Sequence, residues 1–161
     1  MGNRAYVVFT NEKETEFSPA VYLHWNGGPE SVYTFIRAMQ EYQCRGMEDL
    51  SYSCARFIQI VGNFFGGSLS LGIENVCDKK DLERFTPGDN GLYLVKLGKT
   101  PTFQRMLTRY VKHEEQIYWL TPEQVNAEYT EAINHKYNEN DSLMKDIKEK
   151  NDSHFIEKKI V

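Results

Sequence analysis

The residues best suited to chemistry gather in "VYLHWNGGPES", from Val21 to Ser31. A strand-like run stops at Asn26-Gly27-Gly28 and passes at once into a helix opened by Pro29, which suits the first helical position. Backbone N–H groups at such a start carry partial positive charge, and an exposed phosphate or carboxylate gains about 0.3–1 kcal/mol there. His24 could meet that anion, Gly27 and Gly28 would let it approach the backbone, and Tyr22, Asn26 and Ser70 would supply hydroxyl and amide groups. Against this stands the simpler role of glycine after a strand, which is to permit the turn. Strand alternation sends Val21, Leu23 and Trp25 one way and Tyr22, His24 and Asn26 the other, so Trp25 is expected in the core and His24 on the opposite face. The expected ligand contacts are Tyr22, His24, Asn26, Gly27, Gly28 and Ser70, with no catalytic residue assigned. Phosphodiester cleavage would require His24, Tyr22, Ser70 and Arg4 to converge in one cleft.

Other patterns carry less. "GNFFGGSLSLG" is glycine-rich but runs from helix to strand, whereas nucleotide loops run from strand to helix, and no Lys-Ser or Lys-Thr follows. His24, His113, His135 and His154 lack metal-ligand spacing, and no cysteines form a C-x-x-C pair, so neither metal nor cofactor is expected. Cys54 beside Ser53 at a helix start could have a lowered thiol pKa, but a small buried cysteine is the commoner situation. In "TFQRMLTRYVK", Arg105, Arg109 and Lys112 alternate with Phe103, Met106 and Tyr110. Such a stripe can contact nucleic acid, but Glu114 and Glu115 weaken it, and a solvated amphipathic face is the expectation.

The elements that must position these residues can be read in order. "RAYVVFT" (Arg4–Thr10) and "PAVYLHW" are β-branched and aromatic, and predict two strands around a polar loop. Val32, Phe35, Ile36, Met39 and Tyr42 recur at helical spacing, with Gly46 as the expected stop. A second, buried helix is expected over Ser53–Phe65, with Ala55, Ile58, Val61 and Phe65 on one face and Gly66-Gly67 ending it. "SLSLGI" alternates as a half-buried strand, with Leu69, Leu71 and Ile73 set against Ser68, Ser70 and Gly72. After the turn signals Pro87-Gly88 and Asn90-Gly91 comes the strand "LYLVKL". Phe103–Val111 and Gln116–Leu120 suggest a second hairpin, and Thr121 with Gln124 forms a capping box for a helix bearing Val125, Tyr129, Ala132 and Ile133. The sum is one α+β domain over residues 1–137: a mainly antiparallel sheet with two apolar helices on one face. Residues 138–161 form a charged extension, either a helix or a mobile tail.

Composition limits the partners. The 161 residues suit a single domain, and the net charge of −4, from 19 basic and 23 acidic residues, argues against wrapping nucleic acid. Three cysteines, an odd number, suit a reducing interior. The opening "MGNRAYVVFT" lacks a signal-peptide pattern, Tyr6 stands where myristoylation wants Ser or Thr, and no window reaches membrane-spanning length. The expectation is a soluble cytoplasmic protein without a membrane partner.

Taken together, "NRA" (Asn3–Ala5), "YLHWNGG" (Tyr22–Gly28), "GNFFGG" (Gly62–Gly67), "LSLGI" (Leu69–Ile73) and "DNGLY" (Asp89–Tyr93) resemble a family of short proteins, of no established activity, carried by phages and prophages of Firmicutes. The resemblance covers about the first 97 residues. Where that family often places a charged pair after the double glycine, this chain has Pro29-Glu30. The resemblance implies a phage-derived protein in a bacterial cytoplasm, acting by binding: an inhibitor or modulator of a defence or regulatory component, whose partner is a host protein or a nucleotide-like small molecule.

Overall fold

A computed structural model describes residues 2–67, 70–134 and 137–155. Its α+β fold is built on a six-stranded sheet in the order β3-β2-β1-β4-β5-β6. The strands are β1 (Ala5–Thr10), β2 (Ala20–Leu23), β3 (Leu71–Glu74), β4 (Leu92–Lys96), β5 (Thr102–Val111) and β6 (Glu114–Trp119). Neighbours run antiparallel except β1 and β4 at the centre, which pair in parallel from Tyr6–Leu92 to Thr10–Lys96. Both hairpins form as the β-rich runs predict. The second turns on Lys112 and His113, whose φ values of 51° and 69° are the left-handed pair that a two-residue hairpin loop requires.

One face of the sheet presents Ala5, Val7, Phe9, Val21, Leu23, Tyr93 and Val95 to the helices. There α1 (Pro29–Glu41) buries Val32, Tyr33, Phe35, Ile36 and Met39, and α2 (Leu50–Phe65) buries Phe57, Ile60 and Val61. The capping box opens α3 (Pro122–Asn134): Thr121 Oγ1 accepts from the Gln124 N–H (3.2 Å), and Gln124 Oε1 accepts from the Thr121 N–H (2.9 Å). Beyond it α4 (Tyr137–Asn151) lies across α1 and α2, with Ile147 fully buried. Its last residue, Asn151, is also fully buried, donates to the carbonyls of Ile60 (3.1 Å) and Ile147 (2.9 Å), and accepts from Asn63 (2.9 Å). The opposite face carries a smaller core, in which Val76, Leu82 and Phe85 from the connection before β4 cover Val8, Leu92, Leu94 and Met106.

The structure corrects several expectations. α1 ends at Glu41, not Gly46: Gln43 turns left-handed (φ 53°), and a 3-10 turn over Cys44–Met47 drops Cys44 and Met47 into the core. α2 begins at Leu50, because Asp49 accepts from the Tyr52 N–H (3.0 Å) and caps it, a bond worth about 1 kcal/mol. Its buried face runs through Ser53, Cys54, Phe57, Ile60 and Val61, which leaves Ala55 exposed and Ile58 half-buried. β3 is a sheet edge at the margin of the helix layer, so Ile73 is 64% exposed, while Leu71 rests against Gly62. Ser68, Leu69, His135 and residues 156–161 lie outside the described residues.

Arg105 departs furthest from its expected solvated face, being 1% exposed. It faces the helices from β5, its guanidinium 3.6 Å from the Tyr93 ring centroid. Nε donates to Glu128 of α3 (2.7 Å), and Nη1 donates to the carbonyls of Asn90 (2.7 Å) and Leu92 (2.9 Å). Tyr33 of α1 donates to the same Glu128 oxygen (2.8 Å), so one cation joins β5, α3, α1 and the loop before β4. Removing one partner of such a pair strands the other charge. Arg105→Met is expected to cost about 3 kcal/mol in urea unfolding, a low-end figure because Glu128 keeps some solvent. Combining it with Glu128→Met should recover much of that loss, and a double-mutant cycle measures the coupling.

Candidate functional site

β2 stops one residue before His24, and the chain bends through His24, Trp25 and Asn26, with Asn26 left-handed at φ 56°. The alternation that predicts a core Trp25 therefore ends at Leu23, and Trp25 is 46% exposed. Its ring meets His24 edge-on at 5.1 Å. Behind His24 the rings of Tyr22, Tyr6 and Phe85 form a row along the face opposite the helices, with successive centroids 6.1, 5.3 and 5.0 Å apart. The Tyr22 hydroxyl lies 2.9 Å from His24 Nδ1, which fixes the ring and sets its Nε2 edge beside Gly2.

His24 lines a pocket of about 420 Å³ together with Gly2, Arg4 and Asp89. Arg4 and Asp89 close on each other through Nε–Oδ2 (2.8 Å) and Nη2–Oδ1 (3.4 Å), and the Arg4 backbone N–H also donates to Oδ2 (3.0 Å). These bonds to Arg4, with smaller help from the nearby His24, hold the Asp89 carboxyl down to about 2. Three chain segments are stitched together to build the pocket. Asn3 donates its N–H to the His24 carbonyl (2.9 Å), Gly27 donates to the Asn3 carbonyl (2.8 Å), and Asn90 donates its N–H to the Arg4 carbonyl (3.1 Å) and its side-chain amide to Asn3 Oδ1. At Gly27 a Cβ would stand 2.5 Å from the Asn3 carbonyl oxygen, so only glycine fits. The Tyr93 hydroxyl donates to the Gly27 carbonyl (2.8 Å) and ties the junction to the ring beneath Arg105.

Of the six residues expected to contact a ligand, His24 alone lines the pocket, and Tyr22 stands behind it, bonded to Nδ1. Ser70 contributes its carbonyl, which accepts from the His24 N–H (3.0 Å). Asn26 turns away and donates to Ser31 Oγ (3.2 Å), Gly27 is enclosed, and the Glu30 carboxylate folds back over Gly28, where it faces the helix start. Arg4, the cation that phosphodiester cleavage would require, does reach the cleft, and Asp89 joins it from the "DNGLY" block. The signal for Asp89 was its place just before β4, which becomes a neighbour of Arg4 once β4 pairs in parallel with β1.

Elsewhere, burial raises the thiol pKa of Cys54, which overturns the activated reading. Among the described residues no group of three or more His, Cys, Asp or Glu could hold a metal ion, and no helix is long and apolar enough to cross a membrane. No protein-family model matches the chain, and neither a curated protein nor a solved structure matches it.

A carboxyl with a depressed folded pKa adds stability above its unfolded value, and that stability is lost as pH falls through the folded value. For Asp89 the loss therefore falls between the ordinary carboxylate range and about pH 2. A ¹³C-monitored titration should find Asp89 at that low value, and Arg4→Gln should return it to the ordinary range.

Proposed function

We propose that this protein is a non-catalytic binding protein, and that its junction pocket takes a small nucleotide-like molecule. The observation that carries this reading is the meeting of the Arg4–Asp89 pair and the His24 ring at one opening, with the half-exposed Trp25 ring packed edge-on against His24. A planar base can stack on an exposed indole, a carboxylate and a guanidinium can read its polar edge, and an imidazole can meet a phosphate. Binding is favoured over turnover because the Asp89 carboxylate is engaged by Arg4 while His24 Nδ1 meets the Tyr22 hydroxyl, so the two are not joined as a carboxylate–imidazole pair.

The resemblance to phage and prophage proteins supplies the setting. We place the binding in a bacterial cytoplasm, where sequestering such a ligand would inhibit or modulate a defence or regulatory component that depends on it. A second reading, direct docking on a host protein, is favoured by Trp25 itself, since a half-exposed tryptophan is the kind of residue that anchors an interface.

Native mass spectrometry of the protein isolated from expressing bacteria separates these readings. A retained small molecule, lost in His24→Ala and Arg4→Gln while circular dichroism is unchanged, is the expected result. A retained host protein lost in Trp25→Ala would favour the second reading. Turnover of a phosphodiester or cyclic-nucleotide panel, abolished by His24→Ala, would overturn the non-catalytic claim.

A further inference from the structure

The β5–β6 hairpin outruns the layers that cover the rest of the sheet. Of seven exposed large hydrophobic side chains among the described residues, Tyr110, Val111, Ile117 and Trp119 belong to it, with Tyr110 77% exposed. Register places Ile117 opposite Thr108, Trp119 opposite Met106 and Glu115 opposite Tyr110, so Tyr110, Ile117 and Trp119 share the face away from the helices. A two-stranded ribbon with both faces wet is marginal alone, and a strand edge in this state is a template for further pairing.

The direction of the ladder shows what that edge offers. Leu120 donates its N–H inward to the Arg105 carbonyl (2.9 Å). Counting back along the antiparallel alternation, Tyr118, Gln116 and Glu114 also bond inward to β5, and the N–H and C=O groups of Trp119, Ile117 and Glu115 point outward. β6 contains no proline, lysine or bulge to block pairing, and its two glutamates stand at one end.

We propose that a second copy of this chain docks on β6, antiparallel about a two-fold axis through Ile117, to give one continuous twelve-stranded sheet built from two six-stranded ones. In that register Ile117 faces its own copy, and Glu115 faces Trp119 of the other chain. Each outward N–H meets an outward carbonyl, and the two Ile117 side chains and two Trp119 rings merge into one apolar stripe. Shifting the register to centre on Glu115 would set like charges opposite each other and shorten the ladder. The ends are complementary in charge as well: the Lys112–His113 tip of each copy reaches toward Glu123 in the first turn of the other α3. The competing edge, β3, offers only four residues.

Sedimentation velocity of the full chain from low micromolar to low millimolar concentration tests the proposal. The expected result is a concentration-dependent dimer that Ile117→Lys reduces by at least tenfold in association constant, because two ammonium groups then meet on the axis. A covalent readout covers the case in which that variant folds poorly. With Cys77→Ser removing the exposed native thiol, Ile117→Cys is expected to form an intermolecular disulfide on mild oxidation. Hydrogen-bonded antiparallel pairs lie about 5.5 Å apart at Cα, within the disulfide range. Ile73→Cys on β3 is expected to form none. A monomer throughout the range, a dimer unaffected by Ile117→Lys, or cross-linking through position 73 in place of 117 would each overturn it.

Discussion

Arg105 projects from a strand into the apolar layer between sheet and helices, where an unpaired charge could not stay. Everything around it is arranged to satisfy it. Glu128 takes Nε, the Asn90 and Leu92 carbonyls take Nη1, and the Tyr93 ring lies beneath the guanidinium at 3.6 Å. Because the partners come from α3, the loop before β4 and β4 itself, the cation can be desolvated only when those pieces stand in one arrangement. A planar fork on an aromatic face suits arginine, and lysine, a point charge, could not hold three partners in the same way.

The candidate site hangs from that arrangement. Arg105 fixes the Asn90 carbonyl on one side of the loop, while the Asn90 amide groups reach Arg4 and Asn3 on the other. Tyr93, under the same guanidinium, ends its hydroxyl on the Gly27 carbonyl. Asp89 is thereby delivered to Arg4, and the bend that carries His24 and Trp25 is held against residues 2–4. The pocket lies on the opposite side of the sheet from the cation that organises it. Its polar groups are thus positioned by the core without belonging to it, and they remain available to a ligand.

How much of this is legible in the sequence depends on how local each cause is. Pro29 at a helix start, the Thr121–Gln124 box, the glycine end of α2 and both hairpins are written within a few residues and are readable there. The mainly antiparallel sheet with apolar helices on one face follows from the same periodicities. Trp25 misleads because alternation says nothing about where a strand stops, and β2 stops at Leu23. Arg105 misleads because a charged residue in an alternating strand looks solvated until its partner is known, and Glu128 lies 23 residues away on another element. Asp89 is missed because only the parallel β1–β4 pairing makes it a neighbour of Arg4, a contact spanning 85 residues.

The central claim is that the buried cation on the helix side sets the geometry of the polar pocket on the other. A carboxyl titration of Asp89 in Arg105→Lys tests it most directly, because lysine keeps the charge but loses the fork. If the account holds, amide shifts in β1 and β2 stay near those of the parent while the Asp89 pKa climbs from about 2 toward the ordinary carboxylate range. An Asp89 that still titrates at its parent value, in a folded Arg105→Lys protein, would contradict it.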